Sequence, residues 1–444
     1  MKQIFLSLAL MTAAGMSAQL TVTGTDAVEL KPESSSGLNT VYVLRDASAA
    51  RFEYRTPLGQ GVSVQRFSSL GGGFAEDVPG LKVNSEGNGK LVHSWPAGSE
   101  DMGYIITESG RQICIWACNY ALRPYTVTDI IPAENDCDRI RFNIVGSAPE
   151  MCYYSINGRR IGIDREIKLD YYTLVYDASE KIYRHTASSH AISYADGYIL
   201  APAPLCDTEY VLHPGRFGSL WGGRDALSPS VMAYAVQAET SAVQTPRDVD
   251  NEQKVENESL GGSAPCEIAF SAAVTDAAIY RRWEIASTPD FIDTYLTYDQ
   301  LEFTHTFTEA GTSYVRFTAN NTDGTCEYTG DTYQISIGES RLECPNAFTP
   351  GTSEGVNDEW KVSYKSIVSF HCEIFNRWGQ KLCTLTDPSQ GWDGKYGGKV
   401  IGSGVYFYVI KARGADGKDY KLSGDINIIG SRRNTSSGVT NPDL

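Results

Sequence analysis

Six short landmarks separated by apolar runs lie near the C-terminus, between residues 345 and 430. They read Pro345-Asn346-Ala347-Phe348-Thr349-Pro350, Gly355-Val356-Asn357-Asp358, Phe375-Asn376-Arg377-Trp378-Gly379-Gln380, Gly391-Trp392-Asp393-Gly394, Gly404-Val405-Tyr406-Phe407-Tyr408-Val409-Ile410 and Lys421-Leu422-Ser423-Gly424-Asp425-Ile426. Alternating and β-branched runs between Gly and Asp turns are typical of a compact antiparallel sandwich. The stretch therefore predicts an all-β module at residues 341–430.

The order of these landmarks resembles the gliding-motility-associated C-terminal domain, the type B sorting signal of the type IX secretion system in Bacteroidetes. The resemblance implies delivery across the outer membrane by the type IX translocon, often together with an outer-membrane barrel partner protein. We predict no catalytic residue and no metal ligand. The signature residues that carry the resemblance are Pro345, Asn346, Phe348, Pro350, Asn357, Asp358, Asn376, Arg377, Trp378, Gly379, Gly391, Trp392, Asp393, Gly394, Gly404, Tyr406, Gly424 and Asp425.

The N-terminus has the pattern of a secretory signal peptide. Lys2 precedes an apolar run at residues 4–11, and small residues follow up to Ala18. This arrangement predicts cleavage after Ala18, and the apolar run is too short to span a bilayer. We therefore expect passage through the periplasm, a final location in the medium or at the cell surface, and no transmembrane segment.

The charge balance excludes some partners. The chain carries 38 basic and 54 acidic residues, a net charge of −16. Such a surface repels nucleic-acid phosphates and anionic lipid, so binding to either is disfavoured.

Short strand patterns recur along the whole chain, while helical periodicity is scarce. The predicted fold class is all-β, with several Ig-like antiparallel β-sandwich modules in tandem. For the polar stretch 241–259, a linker is predicted, with an edge strand as the alternative. The predicted segments are a signal peptide (1–18), sandwich modules (20–130 and 131–240), the linker (241–259), an Ig-like module (260–340), the sorting module (341–430) and a polar tail (431–444).

The third module contains a run from Phe307 to Phe317 that resembles the polycystic-kidney-disease-type Ig-like repeat. Cys266, Trp283 and Cys326 follow the Cys…Trp…Cys order of Ig sandwiches. Because an exported protein permits oxidation, this order predicts a disulfide between Cys266 and Cys326.

Two hairpin turns are predicted from their Asn and Gly residues. Asn157-Gly158 suits a type I′ turn. Asn376-Arg377-Trp378-Gly379 suits a type I turn with Gly379 in the bulge position, which would pair Phe375 with Lys381 and Glu373 with Cys383. In that register Cys372 faces away from Cys383, so no disulfide is expected between them.

No catalytic constellation stands out, so the protein is predicted not to be an enzyme. Gly351-Thr352-Ser353-Glu354-Gly355 matches the nucleophile-elbow pattern, but it lacks the strand and helix that an elbow needs. No cofactor is implied. The predicted function is an exported structural or interaction protein, adhesin-like or part of a surface assembly. The alternatives are a carbohydrate-binding module protein, which would need coplanar exposed aromatic rings, and a secreted hydrolase.

Overall fold

The computed structural model describes residues 20–57, 61–71, 73–87, 89–253, 260–352 and 355–430. The predicted signal peptide and polar tail lie outside these residues, as do 254–259 of the predicted linker. The chain forms two compact units, one of Met1–Leu174 with His185–Tyr234, the other of Val175–Arg184 with Ala235–Leu444. Almost all regular structure is β, which confirms the predicted fold class.

The first module consists of two sheets that enclose an aromatic centre. Phe52, Trp95 and Tyr104 pack ring against ring at centroid distances of 5.3–6.0 Å. The sheets have the orders β1-β4-β8-β7 and β2-β3-β10-β9-β5-β6 in the numbering that follows. The strands are β1 (Leu20–Thr23), β2 (Ala27–Leu30), β3 (Thr40–Leu44), β4 (Arg51–Pro57), β5 (Val62–Phe67), β6 (Glu76–Asp77), β7 (Lys82–Gly87), β8 (Lys90–Pro96), β9 (Met102–Glu108) and β10 (Arg111–Asn119), with 3-10 turns at Ser34–Ser36, Ala47–Ala49 and Tyr120–Leu122.

The second module is built on a seven-stranded sheet. Its elements are β11 (Asp129–Asn135), β12 (Arg139–Ala148), β13 (Met151–Tyr154), β14 (Arg160–Ile163), β15 (Ile167–Asp177), β16 (Ile182–Ile192), β17 (Ala195–Pro202), β18 (Val211–His213), helix α1 (Gly215–Leu220) and β19 (Ala226–Leu227). The sheet order is β16-β15-β18-β19-β11-β12-β17. Its buried face supplies a core that includes Phe142, Leu169 and Tyr210.

The β13–β14 hairpin shares a core cluster with residues of the first module, Val41 and Trp116 among them. Its turn is not the predicted type I′. Tyr154 pairs with Arg160 across a five-residue loop, and only Gly158 of the predicted Asn157-Gly158 pair has a positive φ, at 78°. A type I′ turn needs positive φ at both residues. A tertiary contact favours the longer loop, because the Ile156 amide donates to the Ser36 carbonyl at 2.9 Å.

The third module packs a three-stranded sheet, β20-β22-β25, and a sheet of order β21-β28-β26-β23-β24 around Trp283, with β27 paired to β26. Its strands are β20 (Ala238–Gln244), β21 (Gly261–Gly262), β22 (Cys266–Val274), β23 (Tyr280–Ala286), β24 (Thr294–Tyr298), β25 (Glu302–Phe307), β26 (Gly311–Asn320), β27 (Glu327–Thr329) and β28 (Tyr333–Ile337).

The predicted linker is wrong at its N-terminal end. Residues 241–244 belong to β20, an edge strand that pairs antiparallel with β22 over its whole length. Farther along, the Asn251 amide donates to the carbonyls of Val362 and Pro388 at 2.7 and 2.8 Å. The alternative, an edge strand with polar residues, is therefore correct for Ala238–Gln244.

The fourth module contains the C-terminal landmarks. Its main sheet has the order β30-β37-β36-β32-β33, and two short ribbons, β29-β31 and β34-β35, complete it. The strands are β29 (Arg341–Glu343), β30 (Ala347–Phe348), β31 (Ser363–Lys365), β32 (Ile367–Phe375), β33 (Lys381–Leu385), β34 (Lys395–Tyr396), β35 (Lys399–Val400), β36 (Gly404–Gly414) and β37 (Asp419–Ile428).

The predicted Cys266–Cys326 disulfide is wrong. Cys266 is a buried free thiol, whereas Cys326 is disulfide-bonded, as is Cys137. Cys266 Sγ lies 3.8 Å from the carbonyl of Gly261, which pairs with β28 near the first residues of β26, while Cys326 follows the last residue of β26. Ten strand residues span about 30 Å, far beyond the ~7 Å limit between Cα atoms of a disulfide.

Peptide mapping checks this assignment. Alkylation of the unfolded, unreduced protein is expected to label Cys266 and to leave Cys326 blocked. In the native protein Cys266 should react slowly, because burial raises the pKa of its thiol and only the thiolate is nucleophilic. The reduced, unfolded protein, in which both residues become labelled, is the control. A peptide cross-linked through 266 and 326 would contradict the expectation.

Candidate functional site

The signature residues lie together in the fourth module, and most of them hold its loops in place. Asp358 fixes the loop before it, since its two carboxylate oxygens accept hydrogen bonds from the amides of Gly351 and Gly355 at 2.9 and 2.7 Å. Asn357 adopts a left-handed conformation, with φ of 52°, and its carbonyl accepts from the Thr349 amide. Ser353 and Glu354 of the elbow-like pattern lie outside the described residues.

Pro345, Asn346 and Phe348 attach the start of the module to its core. The Pro345 carbonyl accepts from Trp360 Nε1 at 2.7 Å, and the Asn346 carbonyl accepts from the amide of Asn427 at 2.9 Å. Phe348 is buried, with its ring centroid 5.6 Å from that of Trp392. Pro350 is buried too.

Trp392 and its neighbours form a second set of contacts within the core of the module. Trp392 is buried and exchanges two backbone hydrogen bonds with Trp360, at 2.9 and 3.0 Å. Asp393 accepts from the amide of Lys395 at 3.1 Å. Gly394 has a φ of 70°, and a Cβ there would lie 3.2 Å from the Phe348 ring. This landmark therefore needs both its ring and its glycine for packing.

The last two landmarks lie on adjacent strands. Tyr406 donates to the Gly402 carbonyl at 2.8 Å, and its ring meets that of Trp392 edge-on at 5.5 Å. A Cβ at Gly424 would come within 2.7 Å of the Tyr408 hydroxyl. Asp425 accepts from the Asn427 side chain at 2.9 Å. Nothing in the structure explains a glycine at Gly404.

The turn at Asn376–Gly379 has the predicted conformation. Asn376 is buried, and its side-chain oxygen accepts from the amides of Trp378 and Gln380, both at 3.0 Å. Gly379 has a φ of 80°. Trp378 does not fill a core, because 56% of it is exposed. The Arg377 guanidinium covers its ring at 4.2 Å.

The register beyond this turn differs from the prediction. Phe375 pairs with Lys381 as expected, but Cys383 pairs with Ile374 and not with Glu373, because the strand bulges between them. Cys372 and Cys383 are not bonded to each other, as predicted, and both are free thiols. The predicted reason is wrong, because residues 372 and 374 share a face and the bulge turns Cys383 toward that face.

Two cysteine thiols of the fourth module are held in their protonated form. Burial raises the pKa of Cys372 to about 12 and raises that of Cys344, so both thiols are protonated at neutral pH. Over the described ranges, no group of three or more His, Cys, Asp or Glu side chains is placed to hold a metal ion. Gly391, which precedes Trp392, approaches the Glu359 side chain.

A second polar cluster, not found by sequence reasoning, lies in the second module. The two ring nitrogens of His213 contact Asp225 Oδ1 at 2.9 Å and Asp170 Oδ2 at 3.0 Å. Burial favours the neutral ring, but the hydrogen bonds to Asp225 and Asp170 prevail and raise the pKa of His213. No sequence motif signals this cluster, because only strand pairing brings residues 170 and 213 together.

The His213 cluster predicts a stability that falls with rising pH. A raised folded-state pKa contributes stability that is complete below the unfolded value of about 6.5 and is lost as pH rises through the folded-state pKa. We expect His213→Gln to lower the melting temperature at about pH 5.5 and to have less effect near pH 8.5. Because the group is partly exposed, the difference should be about 1 kcal/mol or less. His185→Gln, at an exposed position, is the control. Equal losses at both pH values would contradict the prediction.

Two parts of the chain match known families. Residues 342–428 match the CHU_C Type IX secretion signal domain, which confirms the predicted C-terminal resemblance. Residues 129–228 match a fibronectin type III domain, in the second module; the polycystic-kidney-disease-type resemblance of the third module stays a prediction. The C-terminal match indicates export by the type IX secretion system to the cell surface or the medium. Both kinds of domain are typically non-catalytic.

The chain is similar, at low sequence identity and low TM-score, to several solved structures. One is the tetra-tandem repeat in the extending region of a large adhesion protein (11% identity, 86% of this chain and 96% of that chain, TM-score 0.20). Others are latent PorU from Porphyromonas gingivalis (12%, 73% and 36%, TM-score 0.16) and the immunoglobulin domains 1–5 of Sidekick-1 (9%, 85% and 76%, TM-score 0.25). With such TM-scores, none of these likenesses bears on function. No curated protein matches. Within the described residues, no helix is both long and apolar enough to cross a membrane.

Proposed function

We propose that this protein is a structural or interaction protein of the cell surface, adhesin-like or part of a surface assembly, and that its fourth module acts as a folded export address. The observation that carries the proposal is the match of residues 342–428 to a type IX secretion signal domain. In this proposal the type IX translocon is the partner of the fourth module, and the three preceding modules are delivered by it.

The contacts of the signature residues and their neighbours support a role as an export signal and not as a catalytic site. Asp358, Asn376 and Asp393 use side-chain oxygens to bind nearby backbone amides. Trp360 and Trp392 are buried, and the thiol of Cys372 is held protonated. Each group therefore stabilises the folded shape of the module. A receptor recognises such a shape by binding its exposed faces and sheet edges.

Two chains test the proposal in the native host. The first lacks residues 341–444, and the second is an unrelated periplasmic passenger protein fused to residues 341–444. We expect the truncated chain to remain in the periplasm and the fused passenger to reach the surface or the medium. The passenger without the module is the control.

The fusion is needed because truncation also removes contacts made by the third module. The Ala310 amide donates to the Ala415 carbonyl at 3.0 Å, and the Ser366 amide donates to Ser263 Oγ at 2.8 Å. Circular dichroism of the truncated chain shows whether it remains folded. A folded truncated chain that still reaches the surface, or a fused passenger that does not, would refute the sorting role.

A further inference from the structure

The outer face of the main sheet of the fourth module combines an apolar column with a row of basic side chains. Val405, Phe407 and Val409 follow one another along β36 on the side away from the core, and each is exposed by 42–48%. Phe375 of β32 lies directly opposite Phe407. We call this surface the outer face of β36; it also includes the neighbouring basic side chains of His371, Lys411 and Lys421.

The row of basic side chains crosses three adjacent strands. His371 lies opposite Lys411 on one side, and Lys421 lies opposite Lys411 on the other. All three side chains are exposed. Glu373 lies 3.6 Å from His371, but its nearer ion pair is with Lys381 at 3.1 Å.

The side chains of Lys411 and Lys421 have no ion pair or hydrogen bond with any residue that the structure describes. Like charges directly opposite each other destabilise a sheet. The rest of the chain offers abundant acid, since its net charge is −16. Glu373 lies beside His371, but no described acidic side chain pairs with Lys411 or Lys421. The repulsion between the two lysines is therefore not offset within the described residues, and an external acidic partner would offset it.

We propose that the outer face of β36 is the surface by which the fourth module docks on an acidic protein surface of the export machinery. This inference rests on the proposed function. An exposed apolar centre with a charged border is the usual anatomy of a protein interface. Although Asp425 lies opposite Phe407, the side chains of Lys411 and Lys421 lie together at one end of the apolar column. They specify a partner with an apolar centre and acidic groups at that end.

The shape and size of the face favour a protein over a lipid surface. Its apolar side chains stand at mid-strand positions of a sheet and not on a protruding loop, which insertion into a bilayer would require. Three strands about 4.8 Å apart and some 35 Å long present on the order of 500 Å². That area is below the roughly 800 Å² per partner of a stable complex, and so fits a transient contact.

The test uses the full-length chain in the native host. Lys411→Glu with Lys421→Glu reverses the charge of the two lysines, and Phe407→Thr with Val409→Thr replaces two of the three residues of the apolar column with residues that suit a strand. We expect each pair to slow the appearance of the protein at the surface about tenfold, as loss of electrostatic and apolar docking does. Lys411→Arg with Lys421→Arg keeps the charge and should be exported like the wild type.

The matched control is Lys399→Glu with Lys418→Glu. It changes the net charge equally at exposed sites off this face, on β35 and on the β36–β37 turn, where Lys418 Nζ lies over the ring of the buried Tyr420. It should be exported normally. Melting temperatures of all variants separate misfolding from lost docking.

Two results would overturn the inference. The first is normal export of folded Lys411→Glu/Lys421→Glu protein; if the chain lacking 341–444 is still retained, the proposed function survives and only the docking face fails. The second is co-sedimentation of the wild-type chain, but not of the charge-reversed one, with phosphatidylglycerol vesicles, which would assign the face to a lipid surface. Absence of such co-sedimentation, with slowed export, supports the protein partner.

Discussion

Trp360→Ala should strongly destabilise the fourth module and reduce delivery of the protein. Trp360 is fully buried, its Nε1 donates to the Pro345 carbonyl at 2.7 Å, and its ring lies 5.2 Å from that of Tyr408. Truncation of a buried Trp costs about 3–5 kcal/mol. Domains of this size are stabilised by only about 5–15 kcal/mol, and a loss of about 3–5 kcal/mol raises the unfolded fraction roughly a hundred- to several-thousandfold.

The measurement pairs thermal denaturation with surface quantification in the native host. Trp378→Ala is the matched control, because that ring is 56% exposed and is covered only by Arg377. It should cost less than about 1 kcal/mol. A Trp360→Ala protein that melts like the wild type would refute the argument. Loss of export by a stably folded Trp378→Ala protein would show that the receptor contacts this ring directly.

The second large effect is expected for Trp283→Ala in the third module. The Trp283 ring lies 5.6 Å from Phe270 and Phe303 of one sheet, and 5.1 Å from Phe317 of the other. Its Nε1 donates to the Leu301 carbonyl at 3.4 Å. The ring therefore joins both sheets, and no Cys266–Cys326 disulfide shares that task. We expect a loss of about 3–5 kcal/mol.

Chemical denaturation of the purified chain, followed by the exposure of Cys266 to alkylation, measures this loss. Tyr280→Ala is the control on the same strand, since Tyr280 is 60% exposed. It should lower stability by about 0.5 kcal/mol or less. Unchanged protection of Cys266 in the Trp283→Ala protein would contradict the assignment of Trp283 as the centre of this core.

Local patterns predicted much of the C-terminal site. The Asn376–Gly379 turn and the Phe375–Lys381 pair follow from turn chemistry, which involves neighbouring residues only. The bulge that pairs Cys383 with Ile374 does not, because Leu382 and Cys383 are both apolar and alternation cannot choose between them. The edge strand Ala238–Gln244 was predicted only as the alternative to a linker, because its partner, β22, begins 22 residues after it ends.

The sequence by itself determined the fold class, the strand-rich modules and the C-terminal landmarks, because periodicity and turn residues act over a few positions. The tertiary structure alone decided the rest. It placed Cys266 and Cys326 at opposite ends of β26, put His213 between two aspartates, and aligned His371, Lys411 and Lys421 in one row. Each of these depends on the pairing of strands distant in the chain, which no local pattern specifies.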